Sequence, residues 1–292
     1  MSQTMASLNR KIDVVADLQT VVKTMKNISA SSIGQYNQSL HSLTDYYRTI
    51  ELGLGVCLRR TLPSSPPKMS RPKTGIIVFG SDQGLVGQFN EVVSKEGVHL
   101  IDSLEGNALL WAVGERVRVH LSDYDFDLTG TFPLPNSIKT ITNLVSKIII
   151  EMNDHDFNSE YDVLYLVYNQ RTSGVDYTQK VQRLLPLDKV WQEQMGQCHW
   201  PSKNSPEIVG TKNSTLKALI QEYLFVSIFK ACTESLASEN SRRLSAMQRA
   251  DKNIRQLLKE LRGKYHRFRQ DSIDEELFDL IAGFEALSKK KH

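Results

Sequence analysis

The sequence has few cysteines, no proline near either end and no long apolar run. Its three cysteines, Cys57, Cys198 and Cys232, are odd in number and widely spaced, which argues against a disulfide framework or a zinc site. Such cysteine usage suits a reducing compartment. Because no run of about eighteen apolar residues occurs, we expect no membrane-spanning helix. The opening MSQTMASLNRK has no apolar core, so we also expect no signal peptide.

All nine prolines lie between Pro63 and Pro206. Since proline interrupts helices, the two proline-free ends permit long ones. Apolar residues near the N-terminus recur at steps of three and four, the pattern of a helix that pairs with another helix. This N-terminal stripe comprises Met5, Leu8, Ile12, Val15, Leu18, Val22 and Met25, followed by Tyr36, Leu40, Leu43, Tyr47, Ile50 and Leu54.

A longer stripe follows the C-terminal end of the chain. It comprises Leu236, Met247, Ala250, Ile254, Leu257, Leu261, Tyr265, Phe268, Ile273, Leu277, Leu280, Ile281, Phe284 and Leu287. An unbroken helix from Thr211 to Leu287, about 77 residues, would reach roughly 115 Å. Such a helix needs a partner for its stripe, and the N-terminal helix supplies one. We therefore predict an antiparallel pair formed by the two ends, with several shorter helices in a compact bundle as the alternative.

The middle of the chain alternates strand-like and helix-like segments, which predicts an α/β unit. The strand-like segments are Gly75–Phe79, Leu109–Val113, Val117–Val119 and Asp162–Asn169, with Gln179–Leu187 as a candidate edge strand. A helix-like segment, Ser137–Asn153, precedes the strand that begins at Asp162.

The predicted fold class is α/β: an antiparallel coiled coil of long N- and C-terminal helices plus a Rossmann-like α/β domain. Changes in composition place an N-terminal helix at 1–60 and a proline-rich linker at 61–73. The α/β domain then occupies 74–206 and the C-terminal helix 207–292.

Charge is distributed unevenly although the net charge is only +3. Residues 1–60 carry seven cations against four carboxylates, and residues 207–292 carry sixteen against twelve. Solvated helix faces explain such basic ends most simply, and nucleic acid, anionic lipid or an acidic protein surface are the functional alternatives. Basic and aromatic residues interleave from Gly263 to Arg269, as in some nucleic-acid binders, but an acidic segment follows at Asp271–Asp279.

No segment has the pattern of a catalytic centre. The glycine-rich segment Gly80–Gly87 follows a strand, as a phosphate-binding loop would, but it lacks the Lys-Ser/Thr of a Walker loop and the dinucleotide glycine spacing. The seven histidines are scattered, and Cys198-His199 has no companion ligands. We predict no catalytic residue, no bound cofactor and no metal site.

Four segments resemble the gamma subunit of F-type ATP synthases, the central rotor shaft. Val21–Lys26 resembles the family's Ile-Thr-Lys-Ala-Met run, and Gly80–Asn90 resembles its Ser-Asp-Arg-Gly-Leu-Cys-Gly-Gly-Leu-Asn motif. Glu234–Met247 resembles the Glu-Asn/Ser-Leu-Ala-Ser-Glu…Arg-Met-x-Ala-Met motif, and Tyr265–Gly283 resembles the C-terminal end. The likeness covers nearly the whole chain.

The resemblance implies a non-catalytic subunit that rotates inside a ring of alpha and beta subunits and couples ion flow to ATP synthesis or hydrolysis. It implies epsilon and the membrane c-ring as further partners and no nucleic acid. The expected location is peripheral, on the cytoplasmic face of a bacterial or archaeal inner membrane, with an organelle as the alternative. By resemblance, the residues that contact beta subunits are Met25, Lys26, Arg243, Arg269 and Gln270, and Glu239 supports them within the chain.

The chain departs from the family pattern at several positions. Gln83 replaces the usual Arg, Val86 the usual Cys, and Gln88-Phe89 the usual Gly-Leu. Three lysines at 289–291 stand where small or apolar residues are common. These departures indicate a divergent branch, such as the alternative sodium- or proton-coupled ATPases. A nucleic-acid-binding coiled coil and an enzyme built on the α/β domain are the competing classes.

Overall fold

The computed structural model describes residues 5–58, 73–104, 108–124, 126–154, 163–172, 176–185 and, except for 202 and 205, 200–288. Its helices are α1 (Met5–Leu58), α2 (Phe89–Asp102), α3 (Glu115–Ser122), α4 (Ile138–Asp154) and α5 (Lys212–Ser288). Its strands are β1 (Thr74–Phe79), β2 (Ala108–Val113), β3 (Leu128–Phe132), β4 (Val163–Arg171) and β5 (Tyr177–Leu185). Residues 61–72 of the proline-rich linker and the lysine tail at 289–291 lie outside the described residues.

Two compact units divide the chain, and both long helices contribute to each. Among the described residues, the first unit consists of 5–28 with 244–288, and the second of 29–243. The helix predicted from 211 to 287 is confirmed as α5, which runs unbroken for 77 residues.

In the first unit, the side-chain amide of Gln19 donates a hydrogen bond to Asp251 Oδ1 over 3.2 Å. Leu8 and Leu258 are buried there. The assignment of Leu18 to the packed stripe is wrong, because its side chain is 52% exposed and the next residue, Gln19, makes the contact with α5. At this turn of α1, the hydrogen bond from Gln19 to Asp251 takes the place of an apolar contact between the two helices.

In the second unit, α1 and α5 run antiparallel. Tyr46 donates a hydrogen bond to Glu222, and Gly53 approaches the side chain of Leu219, so rising numbers in α1 meet falling numbers in α5. Ile50 and Leu54 are buried in a cluster with α5. The stripe predicted from Tyr36 to Leu54 is thus confirmed.

The sheet in the second unit has the strand order β3-β2-β1-β4-β5. Neighbouring strands are parallel except for β4 and β5, which are antiparallel. Within each strand, successive side chains point to opposite faces of the sheet. Ile77 and Phe79 join a core with α4 and α5, whereas Ile76 and Val78 join a core with α2 and α3.

Two segments of the domain differ from the sequence predictions. Val117–Val119 is helical, because Gly114, at φ 110°, ends the strand and begins α3. Val117 and Leu121 are buried one turn apart, while Val119 is exposed. The strand β3 was not predicted, since its sequence LTGTF has few apolar residues.

Candidate functional site

The glycine-rich segment after β1 turns sharply and is fixed by its own side chains. Gly80 donates its backbone N–H to Val113 O over 2.9 Å. Ser81 donates its N–H to Asn90 Oδ1 over 2.8 Å, and Asn90 Nδ2 donates to Ser81 Oγ over 2.9 Å. Leu85 and Gly87 both have positive φ, 65° and 66°. A side chain of the protein thus occupies a donor that a phosphate-binding loop would offer to its ligand.

Asp82 joins this turn to two other loops at the same end of the sheet. Its carboxylate accepts the backbone N–H of Glu115 over 2.8 Å and that of Leu134 over 3.0 Å. The backbone of Ser81 also accepts the N–H of Arg116 over 2.8 Å. The family-like motif around Asp82 therefore acts here as a structural connector between β1, α3 and the segment after β3.

The α5 segment of the second unit contains a buried ion pair. Arg243 Nη2 donates to Glu239 Oε1 over 2.5 Å, and the two side chains are only 11% and 3% exposed. Burial raises the pKa of Glu239 to about 7, with Asp82 adding to the rise and Arg243 opposing it. Burial, with help from Glu239, also raises the pKa of Tyr36, to about 12. Because water solvates neither charge well here, removal of one residue would leave the charge of the other buried without a partner.

Arg242, the neighbour of Arg243, lies on the domain instead. Its guanidinium is 5.2 Å from the ring centroid of Tyr177, and that ring packs edge-on against Phe89 at 5.4 Å. A Cβ added to Gly87 would lie 3.6 Å from the Arg242 guanidinium, so α5 passes close to the turn. Sequence reasoning missed this contact, because β5 and α5 are far apart in the chain.

The other predicted contact residues lie in the first unit. Met25 and Lys26 on α1 are half-buried, and Lys26 is one of the cations that lower the pKa of Asp251, where the hydrogen bond from Arg255 is the main cause. Arg269 and Gln270 on α5 are both exposed. The structure therefore does not gather these residues into one site; it distributes them along the two long helices.

Exposed apolar side chains accompany them, which sequence periodicity had assigned in part to a packed stripe. They are Val14, Leu18, Val21 and Ile28 on α1, and Leu257, Phe268, Ile273, Leu277, Phe278, Leu280 and Ile281 on α5. A monomeric soluble protein rarely exposes contiguous apolar surface without a partner for it. These residues indicate that the first unit is a surface for binding other proteins.

Within the described ranges, no three His, Cys, Asp or Glu side chains come together as a metal site would require. None of the helices described contains a stretch both long and apolar enough to cross a membrane.

Comparison with known proteins agrees with this arrangement. The ATP synthase family model matches residues 4–287. The ATP synthase gamma chain of Syntrophus aciditrophicus is 25% identical over 294 residues, covering 97% of this chain and 98% of that one. The ATP synthase gamma chain of Brevibacillus brevis is 26% identical over 298 residues, covering 98% and 99%.

Solved structures share the fold. A chain of the Euglena gracilis mitochondrial ATP synthase, in its OSCP/F1/c-ring structure, matches with a TM-score of 0.61 and 15% identity, covering 99% of this chain and 96% of that chain. A chain of the Tetrahymena thermophila mitochondrial ATP synthase central stalk and c-ring matches with a TM-score of 0.55 and 20% identity, covering 79% and 99%. With the family model spanning almost every residue, the chain belongs to the ATP synthase gamma-chain family.

Proposed function

We propose that this chain is the central-stalk gamma subunit of an F-type ATP synthase. It rotates inside a ring of alpha and beta subunits, couples ion flow through the membrane sector to ATP synthesis or hydrolysis, and regulates catalytic activity. The observation that carries the proposal is the family match over 4–287, supported by gamma-chain relatives aligned over nearly their full length. The unbroken 77-residue helix α5 supplies the shaft that this role needs.

The charges on α5 suit a part that must move past its partners. From 244 to 270 the helix carries eight cations and two carboxylates. The cation Arg255 is 63% exposed even though it pairs with Asp251. Exposed ion pairs contribute only about 0–1 kcal/mol each, so such cations attract acidic loops without holding the shaft in one orientation.

The proposed beta-subunit contacts are Met25, Lys26, Arg243, Arg269 and Gln270, with Glu239 supporting Arg243 inside the chain. Arg269 and Gln270 are exposed and free of the domain's buried core, which supports this assignment. For Arg243 the proposal is narrower. Its ion pair with Glu239 leaves only the small exposed part of the side chain for a partner.

Other features follow from the same role. The chain is a non-catalytic subunit without cofactor or metal, peripheral to the membrane, on the cytoplasmic face in a bacterial or archaeal cell. Its partners are the alpha and beta subunits, epsilon and the c-ring, not nucleic acid. The proposed divisions are helices at 1–60 and 207–292, a linker at 61–73 and the domain at 74–206. The departures at Gln83 and Val86 support a divergent or alternative-operon form.

Reconstitution tests the function directly. The full chain, mixed with the alpha and beta subunits of the same organism, is expected to form a complex with one copy of this chain per ring. The complex should hydrolyse ATP faster than alpha and beta alone, because an asymmetric shaft makes the catalytic sites alternate. Size-exclusion chromatography and an ATPase assay measure both results. Failure of the wild-type chain to assemble would contradict the proposal.

Coupling should depend on Arg269 and Gln270. In the assembled synthase, the double substitution Arg269→Ala with Gln270→Ala is expected to reduce ion pumping per ATP hydrolysed about five- to tenfold, the loss of roughly 1 kcal/mol of exposed contact. The matched control, Lys217→Ala with Gln221→Ala, removes an exposed cation and an exposed amide from the same helix outside the basic stretch at 244–270 and should change coupling less than twofold. Equal coupling in wild type and the Arg269 variant would remove both residues from the site.

A further inference from the structure

The charge on α5 changes sign abruptly between Gln270 and Asp271. Residues 244–270 carry eight Lys or Arg and two carboxylates, whereas residues 271–288 carry six carboxylates and no Lys or Arg. The net charge therefore passes from +6 to −6 at one point on a continuous helix. The lysines at 289–291 come after it and leave 271–292 at −3. We call residues 271–288 the tip segment.

The tip segment is exposed around its whole circumference. From 273 to 283 every described side chain is exposed, apolar residues included, with Leu277 at 51% and Leu280 at 71%. The helix α1 does not reach it. In an antiparallel pair in which Gln19 meets Asp251, the first described residue of α1, Met5, stands level with about Tyr265. Within the described part of the first unit, nothing covers the tip.

The carboxylates of the tip are arranged against the local preferences of a helix. Asp271 and Glu275 are four residues apart, as are Glu275 and Asp279, and like charges at this spacing repel each other. Glu285 lies in the last turn, where the helix dipole favours cations. Sequences break such rules mainly where another requirement compensates for the loss. Here, we infer, positive charge on another surface compensates for the repulsion among the tip carboxylates.

The apolar residues show what kind of surface brings that charge. Ile273, Leu277, Leu280 and Ile281 follow each other at steps of four, three and one, so they form one arc of the helix. Carboxylates occupy most of the remaining circumference, with the exposed Phe278 among them. A wholly apolar socket would bury those carboxylates without partners, which is unfavourable, and an acidic socket would repel them.

We propose that the tip segment docks in a protein collar whose apolar floor is surrounded by Lys or Arg side chains. This inference rests on the proposed function and adds the chemistry of the surface that receives the shaft. The basic band at 244–270 requires an acidic surface beside it, and the tip requires a cationic one. The partner ring must therefore carry an acidic belt that faces residues 244–270 and a cationic belt that faces the tip segment.

Two such belts fix how far the shaft enters the ring. A slip by one helical turn, about 5.4 Å, would bring Asp271 toward the belt that attracts Arg267 and Arg269. This distance is within the screening length of about 8 Å at physiological salt, so the mismatch is felt. Rotation about the axis does not change the order of the belts. The charge step resists axial movement while leaving rotation free.

The test compares two variants with equal loss of negative charge. The tip variant carries Asp271→Asn, Asp274→Asn and Glu275→Gln, and the control variant carries Asp45→Asn, Asp102→Asn and Asp123→Asn, all six residues being exposed. Affinity of the full chain for the alpha–beta ring is measured at 50, about 150 and 300 mM salt. We expect the tip variant to bind about tenfold more weakly at the lowest salt. The control should stay within twofold of wild type, and the difference should shrink as salt rises.

Each other outcome contradicts the inference in a distinguishable way. If the tip variant binds as well as wild type, the collar is not cationic; if it binds more tightly, the collar is acidic. If sedimentation shows that the isolated wild-type chain dimerises and the tip variant does not, the tip pairs with the basic band of a second copy. Circular dichroism of the variants checks that α5 remains helical. If wild type itself fails to bind the ring, the proposed function fails instead.

Discussion

Replacing Arg243 by methionine should lower the free energy of unfolding by about 3–5 kcal/mol at pH 8, because it leaves a buried carboxylate without its partner. Within the part of the chain that the structure describes, Glu239 accepts a hydrogen bond from the Arg243 guanidinium. Methionine fills a similar volume, so the loss reports charge rather than packing. Urea denaturation followed by circular dichroism measures the change.

Acid should reduce this effect. Because the pKa of Glu239 in the folded chain, about 7, lies above its ordinary value, the folded state binds this proton more tightly than the unfolded state. The protonated carboxyl therefore favours folding at low pH. The free energy of unfolding falls as the pH rises from the ordinary glutamate pKa to about 7 and is constant above that. At pH 5 the buried carboxyl of the Arg243→Met variant is neutral, so the gap from wild type should be smaller than at pH 8.

Two further variants control the experiment. Arg255 pairs with Asp251 at the same spacing on the same helix, but its side chain is 63% exposed, so Arg255→Met should barely move the urea midpoint. The double variant Glu239→Gln with Arg243→Met removes both charges and should recover most of the lost stability. Equal midpoints for Arg243→Met and wild type at pH 8 would show that the pair does not stabilise the fold.

Replacing Gly80 by alanine should cost about 3 kcal/mol of stability, since the new methyl group has no room. Its Cβ would lie 2.3 Å from Cβ of Val117 and 2.8 Å from Asn90 Oδ1. The Val117 atom is fixed to the α3 backbone and cannot rotate away, and moving Asn90 would break its hydrogen bond with Ser81. Thermal and urea unfolding measure the loss.

The matched control lies four residues away. A Cβ on Gly84 would meet nothing within 4 Å, so Gly84→Ala should change stability by less than about 0.5 kcal/mol. If both variants are equally stable, the turn has adapted and close packing does not explain Gly80. If both bind the alpha–beta ring normally once folded, the glycine-rich motif is structural, as the hydrogen bonds of Asp82 indicate.

The long helices could be predicted almost to the residue, because they depend on local features. Absence of proline and a sustained three-four spacing predicted a helix from 211 to 287, and α5 runs from Lys212 to Ser288. The same reasoning failed where the period was ambiguous. Val117 and Val119 alternate as in a strand, yet Val117 packs with Leu121 on one side of α3.

The candidate site was less accessible to sequence reasoning, because its contacts join distant segments. The Asp82 carboxylate accepts hydrogen bonds from the backbone N–H groups of Glu115 and Leu134, 33 and 52 positions away, and a backbone donor leaves no trace in residue type. Glu239 and Arg243 were identified only through the family resemblance. Four-residue spacing made their pairing possible, but only the surrounding core shows that it is buried.

The helix α5 meets two contrasting environments along its length. Near Ala231 and Cys232 it is buried in the core beneath the sheet, whereas from 273 to 283 it is bare. A helix clamped by neighbours resists torsion, because twisting must displace every side chain packed on it, and a bare helix resists only through its own backbone hydrogen bonds. A torque carried along α5 would therefore twist each residue of the bare stretch more than each residue of the stretch packed in the core.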